Sequence, residues 1–189
     1  VQYSSVKETR ILMDTFCEIS CYGNSKDKAI AAIDAAFKEM ERIEHVFNKF
    51  DENSEVSKIN RLAASEKVNV SEEIFKLTKE SVYYSKISGG AFDITVGPLM
   101  EIWGFVRKNK TIPAKDVIDN ALKSVGYKNI ALDPKELSIN FLNKGTKVDF
   151  GGIAKGYAVD RAKDVMVSKG IKNGLVNLGG NIFALGSAP

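Results

Sequence analysis

The residues best suited to chemistry lie in two glycine-flanked acidic segments. In VDFGGIAKGYA (148–158), an apolar run delivers Asp149, two glycines follow, and Lys155 falls in the first turn of a helix that the pattern starts near Ile153. Backbone amides at a helix N-terminus, the helix dipole and a lysine together suit a phosphate group. The segment is no Walker A loop, since Lys155 is followed by Gly156 rather than Ser or Thr, and it does not fit GxGxxG. A tight strand-to-helix turn with a surface lysine accounts for the same residues.

In GGAFDITVGP (89–98), glycines end a helix and bring Ala91, Phe92 and Asp93 together ahead of Thr95 and a Gly97-Pro98 turn. A small residue, a ring and a carboxylate suit a planar base and its ribose. A buried Phe beside a capping Asp is the plain alternative. The chain has one histidine, His45, off the apolar stripe of its helix, so Ser-His and Cys-His mechanisms lack their usual base and proton transfer falls to Asp, Glu or water.

The elements that position these residues follow from periodicity and punctuation. RILMDTFCEISC (10–21) alternates as a strand, which puts Cys17 and Cys21 on one face about 13 Å apart at ~3.3 Å per residue. A disulfide needs Cα atoms within about 7 Å, so buried thiols are expected. Ser25 caps a long helix with Ile30, Ile33, Phe37, Met40, Ile43 and Phe47 on one face. In FDENSEVSKIN (50–60), Ser54 caps a short helix. Ser71 caps another that ends at Gly89-Gly90, and Pro113 opens a third through Leu122. Asp133-Pro134-Lys135 separates two short strands, and LVNLGGNIFALG (175–186) reads as a hairpin around Gly179-Gly180. Trp103 is assigned to the core.

With 189 residues, 44% of them hydrophobic, the chain can bury a sizeable core, and one compact domain or most of one is expected. The net charge of +3 comes from scattered Lys and Arg among nearly as many acids, which disfavours nucleic acid as a partner. No apolar run reaches the ~18 to 20 residues of a membrane span. The chain starts at Val1, as a mature or trimmed form would. Strands and helices interleave while hairpin signals argue against an all-parallel sheet, so the expected class is α+β, a mixed and largely antiparallel sheet packed by several helices.

Taken in order, MDT (13–15), FDENSEVSKIN, GGAFDITVGPLMEIWGF (89–105), VDFGGIAKGYAVDRA (148–162) and LVNLGGNIFALG resemble the ApbE-like FAD:protein FMN transferases, over nearly the whole chain. The resemblance implies an enzyme that moves FMN from FAD to a Thr or Ser hydroxyl of a partner flavoprotein, with Mg²⁺ and with release of AMP. It assigns FAD contacts to Met13, Phe50 (where the family usually has Tyr), Ala91, Phe92, Asp93, Asp149 and Lys155. Attack by a weakly nucleophilic hydroxyl calls for a carboxylate to orient or deprotonate it, and Asp149 is the catalytic candidate. Gly152 would offer its carbonyl to the metal, while an Asp and a Thr of a later family motif would lie beyond Pro189. Family partners are subunits of membrane-bound redox pumps and secreted flavoproteins, implying an extracytoplasmic, membrane-anchored lipoprotein. Two alternatives stay open: an FAD pyrophosphatase yielding FMN and AMP, and an inactive flavin-binding fragment.

Overall fold

The structure, a computed structural model, describes residues 4–105 and 112–187. Its contacts group into two compact units, one of residues 1–46 and 153–189, the other of residues 47–152.

In the first unit, β1 (Ser4–Leu12) and β2 (Thr15–Gly23) form an antiparallel hairpin in the register Arg10 to Cys17 and Leu12 to Thr15. RILMDTFCEISC is therefore two strands, not one. The alternation changes phase at the turn: Leu12 pairs with Thr15, three residues on, so the inward face passes from even positions such as Leu12 to odd ones such as Cys17, Ile19 and Cys21. Met13 and Asp14 both adopt positive φ, 50° and 59°, the conformation a two-residue hairpin with the sheet's own twist demands and one that side chains with a Cβ resist. Asp14→Val should cost about 1–2 kcal/mol in urea denaturation, and Asp14→Gly should be neutral or stabilising.

The sheet continues through β6 (Asn173–Leu178) and β7 (Asn181–Leu185), in the order β1-β2-β6-β7. The β6-β7 turn is the expected one, with Gly179 and Gly180 at φ 55° and 91°. α1 (Lys26–Phe47), whose N-terminus is capped by Ser25 accepting from the Lys28 amide at 3.3 Å, buries Ile33, Phe37, Met40 and Ile43 completely, each worth ~1.5–3 kcal/mol. Ile30 is the exception on that stripe, 39% exposed near the helix start. Cys17 donates to the Met40 sulfur at 3.7 Å, and the Arg10 guanidinium lies 4.3 Å from the Phe37 ring centroid. Both cysteines are free and buried, and burial pushes each thiol up to about 11. α6 (Ala154–Ser168) packs on β6 and β7 and reaches α1 through an Arg161–Glu39 ion pair at 3.3 Å.

The second unit holds α2 (Glu55–Leu62), β3 (Val68–Asn69), α3 (Glu72–Ile87), α4 (Gly97–Ile102), α5 (Lys115–Leu122), β4 (Ile130–Asp133) and β5 (Ser138–Phe141). The strands form a small antiparallel sheet in the order β3-β5-β4. Ser54 and Ser71 cap α2 and α3 as expected, accepting from the Ser57 and Ile74 amides. Along α3, the buried hydroxyls of Thr78, Ser81 and Ser85 donate to the carbonyls of Ile74, Leu77 and Ser81 at 2.7–2.8 Å, each four residues back.

Local readings fail in four further places. Gly97-Pro98 opens α4 rather than a turn, since proline near the N-terminus of a helix loses no hydrogen bond. α5 begins at Lys115, two residues after Pro113. The run before Gly151 is not a strand: it makes a single parallel bridge, Lys147 to Val96. Trp103 is half-buried at the C-terminal end of α4, outside the core. The α+β class holds, with two antiparallel sheets in place of one mixed sheet.

Candidate active site

The segment that carries Asp149 is fixed by its backbone. Val96 and Lys147 bridge in parallel, and the Asp149 amide donates to the Ile94 carbonyl at 2.7 Å. Between them, Asn60 of α2 clamps Val148 from the side. Its amide nitrogen donates to the Val148 carbonyl at 2.9 Å and its carbonyl accepts the Val148 amide at 2.7 Å. Asn60 thus completes the strand-like hydrogen bonding that this segment lacks from a neighbouring strand.

Asp149 then projects a carboxylate with one donor on each oxygen. Oδ1 accepts the Gly151 amide at 2.8 Å, and Oδ2 accepts from Lys49 Nζ at 2.5 Å. The pair is well shielded, with Lys49 16% and Asp149 12% exposed. Close by in sequence, Phe150 packs edge to face on Phe47 at 5.2 Å between centroids, a contact within the second unit.

The two acidic motifs meet. A Cβ built on Gly152 would lie 3.3 Å from Cε2 of Phe92, close enough that the ring would have to give by a few tenths of an ångström to admit one. Phe92 and Gly152 are therefore neighbours, and Ala91 is exposed beside them in the chain. Asp93 turns inward: it accepts from the Thr95 amide and hydroxyl through Oδ1 and from the Tyr127 amide through Oδ2, all at 2.7–2.8 Å, while Thr95 Oγ1 accepts the Gly126 amide. Asp93 and Thr95 tie the motif to the loop after α5.

Phe50 stands at the rim, 56% exposed, with Lys49 Nζ 5.1 Å from its ring centroid. It carries no phenolic oxygen. Its loop is built from Asx turns, Asn48 accepting the Phe50 amide and Asp51 that of Asn53, both at 2.9 Å. Next to it opens a cleft of about 250 Å³ lined by Lys49, Phe50, Asn60, Arg61, Glu101 and Lys147 among others, in which Lys147 pairs with both Glu101 carboxylate oxygens.

Thus the second unit brings together Phe50, Phe92, Asp149 and Gly152 along one connected set of contacts, with Ala91 and Asp93 on the same loop. Met13 and Lys155 belong to the first unit. Met13 sits at the β1-β2 turn, its amide donating to Glu44 at 2.8 Å, and Lys155 is the second residue of α6, whose N-terminus has no side-chain cap. Sequence reasoning missed Lys49 and Asn60. Asn60 shares a helical face with Val56 and Ala63, and a polar residue on an otherwise buried face was the available signal. Nothing local marked Lys49, whose partner lies 100 residues away.

His45 is exposed on α1, as expected from its position off the apolar stripe. Among the described residues, no group of three or more His, Cys, Asp or Glu side chains is arranged to hold a metal ion. Nor is any helix among them long and apolar enough to cross a membrane.

A family model described as the ApbE family matches residues 13–189. The chain is 25% identical over 182 residues to an FAD:protein FMN transferase of Treponema pallidum, covering 93% of this chain and 50% of that protein. It is 30% identical over 162 residues to another from Klebsiella pneumoniae, covering 86% of this chain and 51% of that protein. Among solved structures, the ApbE protein of Thermotoga maritima superposes with a TM-score of 0.90 at 36% identity, over 99% of this chain and 60% of that one. The flavin transferase ApbE of Vibrio cholerae gives 0.87 at 25%, over 99% and 61%. The chain spans about half the length of the curated relatives it matches. With a family match running from the β1-β2 turn to the last residue, this chain belongs to the ApbE family.

Proposed function

We propose that the protein acts as an FAD:protein FMN transferase, moving FMN from FAD to a Thr or Ser hydroxyl of an acceptor flavoprotein. The observation that carries the reading is the meeting of the two motifs, Phe92 against Gly152, beside a carboxylate held at a defined angle by Lys49 and Gly151. The acceptor oxygen attacks the FMN-side phosphorus of FAD. The bond from that phosphorus to the bridging oxygen breaks, AMP leaves with the electron pair, and the hydroxyl proton passes to Asp149.

Phe50 and Phe92 offer faces to planar rings. By the motif resemblance, Met13, Ala91 and Asp93 are each proposed as FAD contacts. Lys155, in the first turn of α6, supplies positive charge for the pyrophosphate together with the helix N-terminus. Mg²⁺ is part of the reading and would add electrophilic stabilisation of the phosphates. The described residues do not fit it by themselves, because Gly152 brings one backbone carbonyl and no carboxylate cluster accompanies it. The steps above accordingly use protein groups only, and chelation by EDTA tests the dependence.

The proposed acceptors are redox-pump subunits or secreted flavoproteins, and the proposed setting is extracytoplasmic, as a membrane-anchored lipoprotein. Both rest on the motif resemblance. The test incubates the protein with FAD, Mg²⁺ and an acceptor flavoprotein and weighs the acceptor. A gain of one FMN supports transfer. AMP release without acceptor would replace it by FAD hydrolysis, and neither product, with flavin fluorescence unchanged, would remove the enzymatic reading.

A further inference from the structure

We infer that Lys49 is a positioning residue for Asp149, fixing the direction in which its carboxylate meets the acceptor hydroxyl. The inference rests on the role proposed above for Asp149. The backbone at Asp149 is held by Ile94 and, one residue earlier, by Asn60, so the freedom that remains is rotation of the side chain itself. One amide on Oδ1, from Gly151, limits that rotation without ending it. The Lys49 ammonium on Oδ2 supplies the second point and defines the carboxylate plane. A carboxylate has about four lone-pair positions, so two remain for a hydroxyl.

Lys49 is itself held. Ser57 Oγ donates to its carbonyl at 2.9 Å, its ammonium lies near the Phe50 ring, and it lines the cleft beside that ring. Exposed lysine pairs contribute little because water and salt compete for both partners, whereas this one is shielded on both sides. A flexible four-carbon stem would otherwise wander. Here, packing and the ion pair remove that freedom before substrate arrives, which is the preorganisation that proton transfer rewards.

The test places Lys49→Met and Lys49→Arg in the whole transferase. Misdirecting a catalytic group by about 1 Å can cost up to ~100-fold, so Lys49→Met should lower kcat at least ~10-fold while the Kd for FAD stays within ~2-fold. Lys49→Arg keeps a cation on Oδ2 and should recover most of the rate. In an Asp149→Asn background, Lys49→Met should add less than ~2-fold, because coupled residues are not additive.

A second readout needs no turnover. In the isotope-labelled chain, the Gly151 amide reports the carboxylate it bonds, and its resonance should move in Lys49→Met and stay in Lys49→Arg. An unmoved Gly151 resonance in Lys49→Met, an unchanged kcat, or a rate loss that appears wholly as weaker FAD binding overturns the inference, the last making Lys49 a ligand of the FAD anion. If Asp149→Asn itself leaves transfer intact, the role of Asp149 falls and the inference with it. If Asp149→Asn abolishes transfer and Lys49→Met does not, only the inference falls.

Discussion

Asp149→Asn is expected to lower FMN transfer by about 10²- to 10⁴-fold, the range for losing a general base, while FAD still binds. The substitution keeps the shape of the side chain and can keep the Gly151 hydrogen bond through its carbonyl oxygen. It places an NH₂ group where Oδ2 meets the Lys49 ammonium, so two donors face each other and the pair is lost. A side effect of ~1–3 kcal/mol on stability follows from the lost charged hydrogen bond. Acceptor mass, flavin binding and a urea melt, measured on one preparation, separate the two consequences. Transfer at the parent rate with FAD bound would show that Asp149 does not handle the proton.

Gly97→Ala is expected to destabilise the second unit by about 3 kcal/mol and to disturb the site along with it. The new methyl would sit 2.7 Å from the Lys147 carbonyl oxygen, 2.8 Å from its Cβ and 3.0 Å from its carbonyl carbon. A flexible side-chain tip could swing aside, but Lys147 offers its backbone. That backbone leads straight into Val148 and Asp149, which Asn60 and Ile94 hold, so relief must either break the Val96 bridge or shift the carboxylate. Gly23→Ala is the control, since its Cβ would meet nothing within 4 Å. A Gly97→Ala protein that unfolds in urea at the parent midpoint, with Gly151 unmoved, would mean that the segment yields easily.

The elements legible in the sequence were those set by local rules. Ser25, Ser54 and Ser71 announce their helices because an N-cap acts within three residues, and Gly179-Gly180 announces its hairpin because the turn conformation suits glycine. The Met13-Asp14 turn stayed hidden for the converse reason: no glycine marks its positive φ, and its one signal is that the buried face passes from Leu12 to the odd positions Cys17, Ile19 and Cys21. The segment before Gly151 has the composition of a strand, but partners decide a strand, and its partners are Ile94, Val96 and the side chain of Asn60. The glycines beside Asp149 pointed to close approach. What approaches Gly152 within the second unit is the ring of Phe92, a pairing no spacing rule could reveal. Lys49 was unreadable because an ion pair across 100 residues leaves no periodic trace.

The hydroxyls of Thr78, Ser81 and Ser85 bond only backward along their own helix. These three buried groups ask nothing of the neighbouring elements and impose no angle on them. A network shared between helices would tie each member to a specific partner, and changing one would strand another. This helix instead tolerates drift across its contact face one residue at a time, with each exchange of hydroxyl for methyl judged on volume alone.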